Sequence, residues 1–443
     1  MPSSASRRRL ERLLAAALAA QLATGAVGAL LLQPGPRPAA AARVALPRGA
    51  NARVDQATRT GAVRALLAAR ARAVLHHDGA AFLATVDPHA GGFLRRQANL
   101  FEALRDVPLT SWTYDLDPDR ERAHTEALDA LRGTWWSPDV TLRYSLAGFD
   151  RNPTVQSQGL TFVERGSRWY VAADDDFAGT GHPTVRDLWD GGRVLVVRGG
   201  SCLVLGHPRS AGLLRSLVAD CDAAVPRVTA VWGKGWAQRV VLMVPDSTAE
   251  LSRVVPDAGD LSQIAAVATA ELVSPATGYH PVGDRVIINP SNFGELGAVG
   301  RRVVLAHEVT HVASRSATGP QVPTWFVEGL ADYVGYQGVR LPVGVAAEEL
   351  RADVRAGRLP GELPLDSDFE GSRKDLAQTY EQSWMAVVLL ARTYGQASML
   401  RLYRDAGADP STGALGRAMA KDLHTTLVAF TGAWRADLQR RLS

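Results

Sequence analysis

A stretch of thirteen residues, Val303 to Arg315, constrains the fold of this chain more than any other. It is largely apolar and contains His307-Glu308-x-x-His311. Residues four apart lie on one face of a helix, so both imidazoles can bind one metal ion. Glu308 follows His307 directly and can reach a water on that ion without being a ligand. The stretch therefore predicts a helix with two metal ligands and a carboxylate base.

A second motif supplies the ligand that the first one lacks. The run Pro323-Thr-Trp-Phe-Val-Glu328-Gly-Leu-Ala-Asp332-Tyr follows a short polar loop, and its proline indicates a helix start. A zinc ion bound by two histidines commonly takes a carboxylate from a facing helix as its third ligand, and Glu328 fits this role. Asp332 lies four residues later on the same face and can accept the outer N–H of a ligating histidine.

Together the two motifs resemble the gluzincin zinc metallopeptidases, a group that includes the thermolysin-like and M1 aminopeptidase-like enzymes. The resemblance implies Zn²⁺ as the cofactor, with His307, His311 and Glu328 as its ligands. It also implies that Glu308 is the general base and that Asp332 supports a ligating histidine. Sixteen residues separate His311 from Glu328, which implies a shorter loop than in the best-known members.

A further segment, Tyr380-Glu-x-Ser, resembles the M1-like segment whose tyrosine hydroxyl bonds the oxyanion of the tetrahedral intermediate. The resemblance implies a catalytic role for Tyr380, with simple packing at the start of an amphipathic helix as the alternative. The spacing of 52 residues after Glu328 is shorter than in the aminopeptidases.

The Gly-x-Met-Glu-Asn signature that holds a free amino terminus is absent from the sequence. We therefore expect cleavage within chains, or a substrate that is not a peptide.

The N-terminal segment predicts export. Residues 1–53 carry eight arginines and one acid, a net charge of +7 against +4 for the whole chain, so the remainder carries −3. This near-neutral body argues against nucleic-acid binding. Residues 1–33 predict a signal peptide or a signal anchor, because residues 13–32 form an uncharged Ala/Leu segment that follows a basic start. In either case the protein would be secreted or anchored to the membrane, with its body outside the cytoplasm.

Two domains are expected after a Pro/Ala-rich linker at residues 34–54. Residues 55–185 begin with helical patterns and continue with strand-like runs, including one from Gln158 to Val163; this order resembles the NTF2-like cone fold. Residues 190–443 are expected to form the gluzincin domain, with a small mixed sheet before the metal helix and a helical bundle after it. The predicted fold class is therefore α+β.

Two finer predictions concern the small sheet. In gluzincins an edge strand runs along the active-site cleft, and Val286–Asn289 is the candidate here, with an ordinary covered strand as the alternative. Cys202 and Cys221 lie on a predicted strand and the following helix. They can form a disulfide outside the cytoplasm or remain two buried thiols, and the disulfide is favoured.

The sequence favours zinc-dependent hydrolysis of peptide bonds in a peptide or protein substrate, by an endopeptidase outside the cytoplasm. Two alternatives belong to other classes. One is a non-catalytic surface protein that binds a ligand through its NTF2-like domain, and the intact Glu308 speaks against it. The other is a zinc hydrolase whose substrate is not a peptide.

Overall fold

The structure is a computed structural model that describes residues 31–32, 50–129, 131–180, 183–255, 265–273, 280–370 and 373–443. The predicted signal segment and linker therefore lie largely outside the described residues. Within the described ranges, no helix combines the length and the apolar character needed to cross a membrane. The chain forms two compact units: an N-terminal unit of residues 32–196 and 206–209, and a C-terminal unit that includes residues 197–205 and 210–443.

The protein belongs to the mixed α+β class, as predicted. Its strands are β1 (Leu31–Leu32), β2 (Leu109–Glu121), β3 (Trp135–Trp136), β4 (Pro138–Leu146), β5 (Thr154–Gln158), β6 (Thr161–Arg165), β7 (Arg168–Ala173), β8 (Leu195–Arg198), β9 (Cys202–Gly206), β10 (Val240–Val244), β11 (Ala266–Val273) and β12 (His280–Ile288). Its helices are α1 (Ala50–Leu75), α2 (Gly79–Leu83), α3 (Gly91–Ala103), α4 (Glu126–Asp129), α5 (Leu188–Gly191), α6 (Ala211–Trp232), α7 (Thr248–Val254), α8 (Pro290–Glu295), α9 (Ala298–Ser314), α10 (Thr324–Gly335), α11 (Val343–Ala346), α12 (Glu348–Arg355), α13 (Leu376–Tyr394), α14 (Gln396–Ala408), α15 (Ala414–Leu423) and α16 (Leu427–Leu442).

The N-terminal unit places its first helices before two small antiparallel sheets, with strand orders β2-β4-β5 and β3-β6-β7. Its core packs Val63 and Leu67 of α1 with Trp136 and Phe162 from the sheets. The prediction of one strand from Gln158 to Val163 is wrong. The chain leaves β5 at Gln158 and enters β6, in the other sheet, at Thr161. The main-chain N–H of Gly159 donates to Thr184 instead of continuing the ladder.

The C-terminal unit contains most of a six-stranded sheet of order β1-β11-β12-β10-β9-β8. β12 pairs antiparallel with β11 and parallel with β10, so the sheet is mixed. Val286 is paired on both sides, with Ala268 and with Leu242. The prediction of an edge strand at Val286–Asn289 is therefore wrong, because strand order depends on pairing between segments far apart in the chain.

A disulfide between Cys202 of β9 and Cys221 of α6 confirms the favoured pairing, with the two Cα atoms 6.1 Å apart. The carboxylate of Asp222, the next residue on α6, accepts hydrogen bonds from the main-chain N–H groups of Ser201 and Cys202. α6 is thereby fixed to the sheet at one point by a covalent bond and by charge-assisted hydrogen bonds. This matters for the site because α6 also packs against α9, which carries His307.

Candidate metal centre

Helix α9 positions the first two predicted ligands. It is buried on nearly all of its faces because it packs against α6, α10 and β11. Such a helix is apolar all round, which explains why its sequence shows no clear amphipathic stripe. His307 and His311 lie one turn apart on this helix, and their Nε2 atoms are 3.0 Å from each other. Both imidazoles are buried and project toward the same point.

Helix α10 brings the third predicted ligand to the same point. It starts directly after Pro323, as predicted, and Asp366 accepts a hydrogen bond from its first main-chain N–H. The Oε2 atom of Glu328 lies 3.3 Å from Nε2 of His307 and 3.4 Å from Nε2 of His311. Neither oxygen of this fully buried carboxylate accepts a hydrogen bond of normal geometry.

Two glycines explain how α10 approaches its neighbours so closely. A Cβ atom on Gly335 would lie 3.1 Å from the carbonyl oxygen of Val303 in α9. A Cβ atom on Gly329 would lie 2.4 Å from the carbonyl oxygen of Ser383 in α13. A side chain at Gly329 would thus require the helices to move apart. Gly329 directly follows Glu328, so this contact also sets the position of the carboxylate.

The three side chains fit a divalent metal ion. Their ligand atoms lie within 4.8 Å of one another, and within the described ranges they are the group of His, Cys, Asp or Glu side chains that could hold an ion in this way. Burial raises the pKa of Glu328, but the two nearby histidines outweigh this effect and lower its pKa to about 2. An ionised, buried carboxylate beside two imidazole nitrogens is the donor set that zinc prefers.

Asp332 contacts one of the predicted ligands. Its Oδ1 atom lies 2.8 Å from Nδ1 of His307. When Nδ1 of His307 donates to Asp332, the lone pair of Nε2 is available to a cation held between Glu328 and His311. Burial lowers the pKa of His307, but the charge and hydrogen bond of Asp332, together with the nearby acids Glu328 and Glu308, outweigh this effect, and the net pKa is well above the ordinary value. The surroundings therefore favour a positive charge at this point.

Glu308 is also buried, but it points toward the sheet. It accepts a hydrogen bond from the main-chain N–H of Ala268 in β11, while its Oε1 atom has no partner. Burial raises the pKa of Glu308, and the histidines and this N–H group lower it, with a net rise. One oxygen is thus held and the other is free to take a proton. The role of Ala268 could not be predicted from the sequence. Nearly every residue has a main-chain N–H group, and the side chain does not indicate which of these groups donates to Glu308.

Tyr380 lies in α13, where its hydroxyl is buried and has no hydrogen-bond partner. Burial raises its pKa well above the ordinary value, and the negative charges of Glu328, Asp332 and Glu308 raise it further. The phenol is therefore protonated and able to donate. The Phe369 ring packs edge-on against it at 5.3 Å, so a packing contact is present as well.

Comparisons with known proteins add no name to this site. Neither the models of known protein families nor the curated proteins contain a match to the chain. The geometry alone therefore carries the functional argument. It brings His307, His311, Glu328 and Asp332 into direct contact.

Proposed function

We propose that this protein is a zinc-dependent endopeptidase of gluzincin type that acts on a peptide or protein substrate. One observation carries the proposal. The buried carboxylate of Glu328 and two buried imidazoles converge on one point with no other partner for the acid. An isolated buried charge costs several kcal/mol unless it is paired or binds a metal ion. A cation at that point would remove this cost.

The roles of the side chains follow from their positions. His307, His311 and Glu328 would hold Zn²⁺, which when bound supplies Lewis-acid polarisation of a carbonyl and lowers the pKa of water. The free oxygen of Glu308 would accept the proton of the attacking water and return it to the leaving amine. The neutral phenol of Tyr380 would donate a hydrogen bond to the oxygen that gains charge in the transition state.

We also propose that the protein acts outside the cytoplasm. A disulfide such as Cys202–Cys221 persists in oxidising compartments, which supports a location outside the cytoplasm. The charge pattern of residues 1–33 supports export, by a cleaved signal or by an anchor at residues 13–32. We also propose that the N-terminal unit is an NTF2-like domain, on the strength of its helices followed by antiparallel strands.

Metal content tests the ligand set first. Elemental analysis of the purified protein should find about one zinc per chain. The His311→Ala variant should lose it, because the two remaining ligands, one histidine and one carboxylate, hold zinc poorly. His76→Ala is the matched control, since His76 is exposed on the N-terminal unit. A protein without metal, or equal metal in wild type and His311→Ala, would contradict the proposal.

Glu308→Gln tests catalysis separately from metal binding. The variant should keep its zinc but cleave peptides at least about 100-fold more slowly, the usual contribution of a general base. Peptide mixtures analysed by mass spectrometry provide the readout and give the cleavage preference. Cleavage that is indifferent to this change would exclude the proposed mechanism. A zinc-loaded protein that cleaves no peptide would favour the hydrolase of a non-peptide substrate.

A further inference from the structure

The N-terminal unit contains a groove of about 570 Å³ between helix α1 and strand β2, called here the α1/β2 groove. One wall is a stripe of α1 that includes Arg64, Ala68 and Arg72, at the i, i+4 and i+8 spacing of one helical face. The other wall is residues 112–116 of β2. A volume of this size lies in the range of ligand-binding clefts.

The strand wall has no neighbouring strand on its outer side among the described residues. Among the described residues β2 is the outer strand of the order β2-β4-β5. Arg64 donates to the carbonyl oxygen of Leu116 over 3.4 Å, so the main-chain groups of Leu116 face α1. In an antiparallel strand, every second residue points its N–H and C=O groups the same way. Those of Tyr114 and Trp112 therefore face the groove, where an added strand would pair with them.

The groove is apolar at its base and positive at its rim. Leu67 and Trp112 are buried there, whereas Arg64 and Arg72 are exposed. The acidic lining residue, Asp115, is paired with Arg143. Arg72 makes no hydrogen bond or ion pair to the described part of the chain. An occupant would therefore carry acidic groups at its ends and an apolar group between them.

The distance between the two arginines indicates how far apart the acidic groups of the occupant would be. Eight helical residues at about 1.5 Å each place Arg64 and Arg72 about 12 Å apart along α1. Four residues of an extended chain cover about 13 Å, and residues four apart share one face of a strand. Ala68 lies between the two arginines and leaves room for a side chain.

We propose that the α1/β2 groove binds an extended polypeptide segment by strand addition to β2, with acidic side chains at its first and fifth positions and an apolar side chain at its third. The acidic side chains pair with Arg64 and Arg72, and the apolar side chain lies over Ala68. This site is independent of the proposed zinc chemistry, because none of its residues belongs to the C-terminal unit.

Fluorescence anisotropy tests the proposal with a labelled peptide, Gly-Ser-Glu-Thr-Leu-Thr-Glu-Ser-Gly. The full chain carries Glu308→Gln in every sample, so proteolysis cannot remove the probe and failure of the zinc proposal leaves this test unaffected. We expect saturable binding, and at least about tenfold weaker binding when both glutamates of the peptide are lysines. The double variant Arg64→Glu/Arg72→Glu should lose at least about tenfold in affinity for the acidic peptide.

Two further variants separate charge from shape. Arg151→Glu, at an exposed arginine outside the groove, is the matched control and should bind like the parent. Ala68→Trp keeps both arginines but fills the groove and should abolish binding, while circular dichroism confirms that it folds. Equal binding of both peptides, or binding that survives the double variant or Ala68→Trp, would overturn the proposal. So would a chain that ignores the peptides but sediments with phosphatidylglycerol vesicles through Arg64 and Arg72, which would assign these cations to a membrane surface.

Discussion

The candidate metal centre and the α1/β2 groove show two different ways in which a fold presents polar groups. In the metal centre, Glu328, Glu308 and Tyr380 are buried, and each has at least one oxygen without a partner. In the groove, Arg64 and Arg72 are exposed to solvent and separated by two helical turns. Water stabilises the two arginines when the groove is empty, whereas the buried oxygens lack this compensation.

The difference indicates how much the stability of each region depends on a bound ligand. Unpartnered polar atoms in a low-dielectric interior are costly, so we expect a bound cation to stabilise the candidate metal centre. Exposed arginines cost little when free, so the groove accommodates a ligand without depending on one. We therefore expect metal removal to lower the stability of the protein and peptide removal to leave it nearly unchanged. Three substitutions at the candidate metal centre test the first half of this contrast.

Tyr380→Phe should separate activity from stability. Loss of the hydroxyl should lower kcat about 100-fold, with KM and zinc content unchanged, because its hydrogen bond forms only in the transition state. The melting temperature should stay the same or rise, since the hydroxyl is buried without a partner. Steady-state kinetics and thermal unfolding provide both readouts.

Tyr403→Phe is the control for this test. Its hydroxyl lies 2.7 Å from Oγ1 of Thr318, so the change should destabilise the protein by about 1 kcal/mol and leave kcat unaffected. If Tyr380→Phe behaves like Tyr403→Phe, the Tyr380 hydroxyl has a structural role and the catalytic assignment is wrong.

Gly329→Ala should weaken the centre through the backbone. The new Cβ atom would meet the carbonyl oxygen of Ser383 at 2.4 Å, which forces α10 and α13 apart. Overpacking of this kind costs about 2 kcal/mol, and the displacement of Glu328 should also lower zinc affinity. Thermal unfolding with and without chelator measures both effects. Gly416→Ala on α15 is the control, because no neighbouring atom lies within 4 Å of the new methyl group. This change should stabilise the protein slightly. Equal effects of the two changes would refute the close-contact explanation.

Asp332→Asn should have the smallest effect of the three. An asparagine can still accept the hydrogen bond from Nδ1 of His307 but carries no charge, so we expect about tenfold weaker zinc binding. Competition with a chromogenic chelator measures the affinity. Asp353→Asn, at a carboxylate on α12 paired with Arg358, is the control and should leave zinc affinity unchanged. An unchanged affinity in Asp332→Asn would show that Asp332 does not support the ligand.

The sequence predicted those parts of the site that depend on local geometry. The pairing of His307 with His311 follows from helical spacing alone, and so does the common face of Glu328 and Asp332. The meeting of the two helices follows from no local rule; it was predicted from the ligand set that zinc commonly takes and from the resemblance to gluzincins. The edge-strand prediction failed at β12 because nothing in that segment reveals which strands lie on either side of it.

Main-chain hydrogen bonds could not be predicted from the sequence for a similar reason. The N–H of Ala268 that holds Glu308 belongs to β11, a strand that no sequence pattern predicted. The split between β5 and β6 depends on Gly159, whose N–H bonds to Thr184 25 residues later. Such bonds are fixed by tertiary packing, and side-chain patterns do not report them.

The close contact at Gly329 also indicates how relatives of this chain could be recognised. Glu-Gly on α10 and Ser383 on α13 form one geometric unit, since the glycine permits the approach that brings Tyr380 within reach of the charges of Glu328 and Asp332. A chain that keeps both histidines but has a bulky residue after the ligand glutamate would hold these helices at another distance. Searches that require the glutamate–glycine pair and the tyrosine–serine helix together would thus select on architecture, whereas the histidine motif alone selects on three side chains.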